Sequence, residues 1–272
     1  MDESDLNTWS EFNPRVKELA AIRDQMANDT KAYVSPLLFR GQPNARWRLE
    51  TTLERQVKEN VTLDSYFRTI SEFSAEIEAF TNRTWELPVP SDFAQFLSED
   101  PVFPIKQHVY EYMTHLRHHG FPSPLLDWTT SPFIAAFFAF RDVPPEADQV
   151  AIYAYIEYAG HAKSGMGGAP HIHAMGPFVR THTRHFVQKS QYTFCCRTEN
   201  KELVYCSHDE VFRRPSERQD RLWKITLPVS ERQRALAHLD QFSLNAFSLF
   251  GSEESLMDSL AARAFIIPPS VA

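Results

Sequence analysis

The chain contains few cysteines, no apolar run long enough to cross a membrane and no excess of basic residues. Three cysteines among 272 residues are too few for a disulfide framework and indicate small buried side chains in a reducing compartment. The longest apolar run, PFIAAFFAF, ends at Arg141 and Asp142 and is far shorter than a bilayer span. The opening residues, MDESDLNTWSEFNPR, lack the pattern of a signal peptide. These absences predict a cytoplasmic protein without a membrane segment.

The charge balance limits which partners the protein can hold by electrostatics alone. The formal net charge is −7, from 28 basic and 35 acidic residues, and this argues against a broad cationic surface for nucleic acid. A local exception is VRTHTRHFVQK at 179–189, which carries Arg180, Arg184 and Lys189. The alternative for this segment is an ordinary solvated surface.

Two pairs of potential metal ligands occur without partners at a suitable spacing. Cys206 and His208 form one pair, and His171 and His173 form the other. Neither has a second pair nearby, such as C-x-x-C, which a structural zinc site requires. The sequence therefore predicts no metal site.

Helical and strand patterns alternate along the chain without a clear linker. The first helical pattern has Asn13 as its expected N-cap and Pro14 at the first helical position. The predicted helices are 13–27, one continuous helix at 62–81, 105–119, a helix opened by a capping box at 230–233, and 252–265. The predicted strands are 149–158, 191–196, 202–206 and 222–229. The intervening segment 159–185 holds five of the eight glycines and is predicted to be a long functional or mobile loop.

Arg40 lies between the apolar run Leu37-Leu38-Phe39 and Gly41. The run predicts a strand, and the glycine permits a close approach or a positive φ directly after it. Such a strand would fix the guanidinium at the end of a rigid element, where its planar donors could bind the oxygens of a phosphate or carboxylate. The alternatives are a surface ion pair or a buried carboxylate partner.

The stretch DWTTSP at 127–132 precedes an apolar helix. Thr130 or Ser131 is a candidate N-cap, and Pro132 suits the first helical position. The free N–H groups at such a helix start favour a phosphate or a partner of a ribose hydroxyl. Asp127 could otherwise simply cap the helix, and Trp128 could belong to the core.

Four motifs resemble the FRG domain family in their order and spacing. They are FRGQ at 39–42, RHHGFPSPLLDWTTSPFIAAFFA at 117–139, RHFVQKSQYTF at 184–194 and LFGSEESLMDSL at 249–260. The resemblance implies a distant relation to ADP-ribosyltransferases, a bacterial toxin–antitoxin or phage-defence setting, and a cognate antitoxin protein. It also implies an α+β fold with a mixed or antiparallel sheet, around which N-terminal and C-terminal helices pack. Residues 1–272 are then expected to form one domain, with a helical extension at 1–32 and an FRG-like core at 33–260.

The resemblance further implies that NAD is the substrate and that its bond between nicotinamide and ribose is broken. The residues implied in catalysis are Arg40, His119, Asp127 and Gln188. Those implied in binding NAD are Phe39, Arg40, Gly41, Gln42, Trp128, Thr129, Thr130 and Ser131. The acceptor is expected to be RNA or single-stranded DNA, held by Arg180, Arg184 and Lys189. We expect His119, Asp127 and Thr129 to line the same pocket as Arg40.

The acid that such an enzyme uses to steady the sugar is not evident. Gln188 and Gln191 occur where a glutamate is expected, and an amide cannot offer negative charge to a cation. Asp127 and Glu202 are the alternative acids. Three functions stay open: an ADP-ribosyltransferase, an NAD glycohydrolase, and a non-catalytic binding or regulatory domain, which the missing glutamate favours.

Overall fold

The computed structural model describes residues 2–57, 60–99, 105–163, 168–213, 216 and 218–267. A mixed β-sheet runs through these residues and is flanked by helices. Its strands are β1 (Asp2–Asp5), β2 (Leu38–Gln42), β3 (Leu126–Thr129), β4 (Gln149–Tyr158), β5 (His171–Met175), β6 (Ser190–Glu199), β7 (Glu202–Tyr205) and β8 (Gln219–Pro228). The α-helices are α1 (Phe12–Thr30), α2 (Thr52–Gln56), α3 (Leu63–Glu72), α4 (Ser74–Thr81), α5 (Pro90–Glu99), α6 (Gln107–His118), α7 (Pro132–Arg141), α8 (Thr183–Val187), α9 (His208–Phe212), α10 (Arg232–Gln241), α11 (Ala246–Phe250) and α12 (Glu253–Phe265).

The sheet is mostly antiparallel. Its strands follow the order β1-β8-β4-β2-β3-β6-β5, and β7 also pairs with β6. β1 and β8 are parallel, whereas the other pairings between the strands named above are antiparallel. The prediction of an α+β protein with a mixed or antiparallel sheet is therefore confirmed. No helix in the described part of the chain is long and apolar enough to cross a bilayer.

The register of the strands gives the sheet two buried faces. On one face, Phe39, Ile152 and Ile225 form a core with α1, α7 and α10. On the other face, Trp128 and Tyr155 belong to a second cluster. A third cluster joins β6 to α3, α5 and α6. Because β4 is covered on both sides, it is apolar along most of its length instead of alternating.

The first helix begins earlier than predicted. α1 starts at Phe12 with Glu11 as its N-cap, so the prediction of Asn13 as the cap is wrong. Phe12 is buried, and its ring stacks on that of Trp9 with centroids 5.0 Å apart. A 3₁₀ turn at Trp9–Glu11 leads into α1. The aromatic contact therefore extends helical backbone upstream of Asn13.

The helix predicted over 62–81 is wrong, because the segment forms two helices, α3 and α4, which meet at Phe73. Near the break, Ser74 Oγ donates to the carbonyl of Ser71 at 2.8 Å. Side-chain bonds of this kind compete with the helical backbone. The apolar face is less buried from the break onward, since Phe73 and Phe80 are exposed while Ile77 still packs against the core.

The capping box predicted at 230–233 is not formed. The 3₁₀ turn Val229–Glu231 moves the start of α10 to Arg232, and α10 has no side-chain cap. The carboxylate of Glu231 instead accepts a hydrogen bond from the backbone N–H of Trp9 at 2.8 Å. Glu231 thus ties the start of α10 to the segment before α1.

The glycine-rich segment 159–185 is not one long loop, because it contains β5 and the start of α8. Residues 164–167 of this segment lie outside the described residues. β1 and β3 were also not predicted. Each has four residues and includes aspartate, which is depleted in strands.

Candidate active site

Arg40 bridges a gap in the sheet. β2 and β3 pair only at Phe39 and Thr129 within the described residues. Beyond that point, Arg40 Nη1 donates to the main-chain carbonyl of Asp127 at 2.8 Å. The guanidinium thereby replaces a missing ladder bond between the strands. Burial lowers the pKa of Arg40 to about 10, so the side chain stays charged at neutral pH.

Gly41 lets α7 lie directly on β2. A Cβ atom at Gly41 would be 1.9 Å from the carbonyl oxygen of Ala135 and 2.6 Å from the backbone nitrogen of Ala139. Of the two roles that the sequence allowed for this glycine, the close approach is the one present, and the approaching group is α7. The Phe-Arg-Gly run thus supplies a core residue, a strand bridge and a helix contact.

Asp127 is held in its ionised form by arginines. Its carboxylate Oδ2 lies 2.5 Å from Arg117 Nη2. Burial acts to raise the pKa of Asp127, but the charges of Arg117 and Arg40 outweigh burial, and the pKa falls below its ordinary value. Asp127 therefore carries a fixed negative charge at neutral pH.

These residues line one cavity of about 370 Å³, within the ~300–1,000 Å³ range of ligand pockets. Three guanidinium groups, of Arg40, Arg117 and Arg184, and the carboxylate of Asp127 lie in its wall. The full lining is Phe39, Arg40, Gly41, Pro43, Arg117, His118, Asp127, Trp128, Thr129, Ala135, Phe138, Arg184, Gln188, Ser190, Tyr192 and Phe250. A surplus of positive charge beside aromatic rings suits an organic anion that has planar groups.

The far wall of the cavity is built by α8 and α11. Gln188 Nε2 donates to the carbonyl of Leu249 at 3.1 Å, and Arg184 Nε donates to the carbonyl of Phe250 at 3.3 Å. Thr129 Oγ1 donates to the carbonyl of Gln188 at 2.7 Å, which joins this wall to β3. These hydrogen bonds therefore hold segments that are far apart in sequence together around the cavity.

His118 and Tyr192 form a further part of the wall. His118 Nε2 lies 2.7 Å from the hydroxyl of Tyr192, and that hydroxyl is 3.4 Å from His185 Nδ1. His185 Nε2 donates to the carbonyl of Pro177 at 3.0 Å. Burial lowers the pKa of His118 to about 4, although Asp127 acts in the opposite direction. His118 is therefore neutral at physiological pH.

The structure brings together some of the site residues that were predicted from the sequence. The predicted residues that line the cavity are Phe39, Arg40, Gly41, Asp127, Trp128, Thr129, Arg184 and Gln188. Asp127 and Thr129 lie beside Arg40, as expected. Trp128 contributes little to the cavity beyond its backbone. Its indole is buried, and Nε1 donates to Thr193 Oγ1 at 2.8 Å.

His119 and Gln42 lie outside the cavity lining. His119 follows the end of α6 on the exposed side, and its ring centroid is 4.4 Å from that of His115 and 6.3 Å from that of His182. Gln42 is buried, and its Nε2 donates to the carbonyl of Arg48 at 2.9 Å.

The remaining predicted residues also lie outside the cavity lining. Ser131 Oγ accepts from the backbone N–H of Ile134 at 3.4 Å and caps α7. Thr130 donates its backbone N–H to the carbonyl of Lys189 at 3.1 Å. Arg180 and Lys189 are exposed.

Sequence reasoning missed Arg117, His118, Ser190, Tyr192 and Phe250. Arg117 and His118 stand in the quoted RHHG stretch, where the turn that follows a helix decides which side chain faces inward. Tyr192 is the cross-strand neighbour of Asp127, and Ser190 that of Thr129. No local pattern reveals such a pairing.

The fold and cavity define an α+β protein with a cationic cleft between β2, β3 and α8. Residues 35–148 match the family model of the FRG domain, in agreement with the resemblance of the first two motifs. The motifs at 184–194 and 249–260 lie beyond the matched segment. No curated protein and no solved structure matches the chain. No cluster of three or more potential metal ligands occurs among the residues that the structure describes.

Proposed function

We propose that the protein is an ADP-ribosyltransferase that uses NAD as its substrate. One observation carries the proposal: Arg40, Arg117 and Arg184 line a single aromatic-walled cavity together with the carboxylate of Asp127. The guanidinium groups suit the pyrophosphate of NAD, since their planar donors match phosphate oxygens. The aromatic rings suit its planar bases. The match to the FRG domain, whose family resembles such enzymes, supports the same assignment.

The reaction requires charge stabilisation more than acid catalysis. When the bond between nicotinamide and ribose breaks, nicotinamide leaves neutral and the ribose becomes an oxocarbenium-like cation. A fixed carboxylate stabilises that cation. Asp127 is the carboxylate among the described residues of the lining, whereas Glu202 pairs with Glu199 in the β6–β7 hairpin. Asp127 therefore takes the place of the expected glutamate, and Arg117 holds it in position.

Gln188 is proposed to orient the sugar. Its Nε2 is committed to the carbonyl of Leu249. The amide is thereby oriented, so its Oε1 can accept a hydrogen bond from a ribose hydroxyl. Arg40, which Asp127 and β3 hold in place, is proposed to bind the pyrophosphate.

The acceptor is proposed to be nucleic acid, with RNA favoured. Arg180 and Lys189 are exposed on either side of α8, which forms one wall of the cavity. Phe178 and Phe186 are 85% and 62% exposed, so their rings can stack on unpaired bases. A single strand is the simplest source of such bases, because they need no unpairing. We place this activity in the cytoplasm, as a toxin or phage-defence effector that a cognate antitoxin restrains.

The decisive experiment incubates the purified protein with NAD labelled in its ADP-ribose part, together with RNA, single-stranded DNA or protein. Label on RNA supports the proposal. Label on protein alone shows that the acceptor is a protein and not a nucleic acid. Release of free ADP-ribose identifies an NAD glycohydrolase, in which water captures the sugar. Intact NAD under every condition identifies a non-catalytic binding domain.

Two variants separate the roles of arginine in this assay. Arg40→Lys keeps the charge but loses the planar fork, so we expect it to lose turnover nearly as completely as Arg40→Ala. Arg46→Lys is the matched control, because Arg46 is exposed and pairs only with Asp148 among the described residues. Circular dichroism shows whether each variant is folded. Normal turnover by Arg40→Lys would contradict the bidentate role.

The acceptor surface is tested by neutralising Arg180 and Lys189 together. Arg184 is left intact because it lines the cavity and binds the carbonyl of Phe250, so its loss would also disturb NAD. We expect weaker transfer to RNA that falls further with added salt, whereas hydrolysis of NAD to free ADP-ribose continues at the wild-type rate. Unchanged transfer to RNA would remove the acceptor role of this surface.

A further inference from the structure

The proposed transfer leaves one proton without a destination. Electrons balance when the bond from ribose C1 to nicotinamide breaks with its electron pair going to nicotinamide and a lone pair of the acceptor forms the new bond to C1. The acceptor oxygen or nitrogen must then lose its proton. A base in the cavity is needed to receive it.

The titratable groups in the cavity wall leave one candidate. Asp127 is paired with Arg117, which makes it a poor proton acceptor. Burial raises the pKa of Tyr192, so its phenol keeps its proton, and the arginines are cations. His118 is neutral and lines the same cavity.

The hydrogen bonds around Tyr192 are the basis for assigning which nitrogen of His118 is unprotonated. The carbonyl of Pro177 can only accept, so neutral His185 carries its proton on Nε2 and accepts at Nδ1. We assign the single hydroxyl proton of Tyr192 to His185 Nδ1, 3.4 Å away, so that the hydroxyl oxygen accepts from His118 Nε2 at 2.7 Å. His118 Nδ1 is left with its lone pair and makes no hydrogen bond among the described residues.

We propose that His118 Nδ1 is the base that accepts the proton of the acceptor as the new bond to ribose forms. This inference rests on the proposed function. Tyr192 and His185 act as positioning residues that hold His118 in the required tautomer, as orienting partners do for other histidines. The proton leaves His118 for solvent after transfer.

The environment of His118 fits this role. An acceptor that is bonding to a cationic sugar becomes strongly acidic, so a weak base is sufficient. The ionised carboxylate of Asp127 faces His118 from β3 and stabilises the imidazolium. Burial opposes the charged form most strongly, and His185, His182 and Arg117 add to it, which returns His118 to its neutral form once the proton can leave.

The test compares His118→Ala with His119→Ala in the same assay, with total RNA and with water as the acceptors. His119 is the matched control, because it is the adjacent histidine but lies outside the cavity lining. We expect His118→Ala to lower product formation by about 10²-fold or more, with NAD affinity within about twofold of wild type. His119→Ala is expected to match wild type.

Chemical rescue separates a base from a merely structural residue. Added imidazole is expected to restore turnover to His118→Ala but not to Arg40→Ala, and substituted imidazoles should restore it in order of base strength. Tyr192→Phe is expected to lower turnover by about tenfold, with unchanged NAD affinity, because the tautomer is no longer fixed. If His118→Ala does not fold, His118→Gln preserves a donor to Tyr192, lacks basicity and is expected to be inactive.

The failure of this inference differs from the failure of the proposed function. Wild-type protein that leaves NAD intact with every acceptor overturns both. Wild-type turnover with active His118→Ala or His118→Gln overturns only the role of His118. A folded, inactive His118→Ala that no imidazole restores also overturns that role and leaves a structural one.

Discussion

The segment that matches the FRG domain, residues 35–148, and the segment that follows it contribute differently to the molecule. The matched segment supplies β2 and β3, yet these strands pair with each other only at Phe39 and Thr129 in the described structure. The following segment supplies β4, which pairs along all of β2, and β6, which pairs along all of β3. The matched residues therefore carry the motif, whereas the later strands hold it together.

The cavity is divided in the same way. The matched segment contributes Arg40, Arg117, His118 and Asp127, and the later segment contributes Arg184, Gln188, Ser190, Tyr192 and Phe250. The charges that hold Asp127 come from the first group, and the far wall comes from the second. A family motif thus marks one half of a site whose other half must be found in three dimensions.

The largest effect on folding should come from removing the segment that follows residue 148. We expect a protein ending at residue 148 to be unfolded, because β2 loses β4, β3 loses β6, α6 loses its packing on β6, and α7 loses its packing on β4 and α10. Circular dichroism and amide-proton NMR dispersion measure this. A cooperatively folded 1–148 protein would show that the matched segment is an independent unit.

A smaller effect is expected from a single methyl group at Gly41. Gly41→Ala places a carbon 1.9 Å from the backbone oxygen of Ala135, so α7 must move away from β2. We expect a loss of about 1–3 kcal/mol in the free energy of unfolding, measured by urea denaturation. Gly176→Ala, in the later segment, is the control, because the nearest atom is 3.9 Å away and the change should stay within about 0.5 kcal/mol.

The smallest effect on stability is expected from Asp127→Asn. The pKa of Asp127 is lowered in the folded protein, so its contribution is present above the ordinary aspartate pKa of about 4 and is lost as the pH falls through the lower folded value. Because its side chain is 39% exposed, we expect a cost of about 1 kcal/mol at pH 7 that vanishes in strong acid. Urea denaturation from pH 7 to pH 2 measures it.

Asp240→Asn in the later segment is the matched comparison for Asp127→Asn. The pKa of Asp240 is also lowered, chiefly by a hydrogen bond from Arg263, but Asp240 is not among the residues that line the cavity with Arg40. Both variants should be less stable than wild type at neutral pH, and both differences should disappear in acid. Only Asp127→Asn should lose NAD turnover. Equal turnover in the two variants would remove Asp127 from the chemistry.

The sequence predicted those features that depend on short stretches of chain. The apolar run of β4 and the start of α7, with Ser131 as cap and Pro132 at the first position, lie where the patterns placed them. Failures occurred where individual side-chain contacts, which the apolar spacing does not describe, lie at a helix boundary. Trp9 stacks on Phe12 where α1 begins upstream of Asn13, and Ser74 donates to the carbonyl of Ser71 at the break between α3 and α4, where the apolar spacing predicts one continuous helix.

The site shows the same limit. The order of the motifs was enough to place Arg40, Asp127 and Thr129 together. It could not choose between His118 and His119, because one residue on a helix turns a side chain by about 100°. Tyr192 lies beside Asp127 only through the pairing of β3 with β6, and that pairing depends on the whole sheet.

The strand β1 also determines how the sheet meets other chains. It covers one edge of the sheet by pairing with β8, and Asp2, Glu3 and Asp5 occupy three of its positions. An uncovered edge strand is a template for association with another sheet, and charged side chains discourage it. Here β8 is shielded by a short acidic strand, so a second copy that approached this edge would meet charged side chains. The acidic opening of the chain thus protects the sheet against edge-to-edge aggregation.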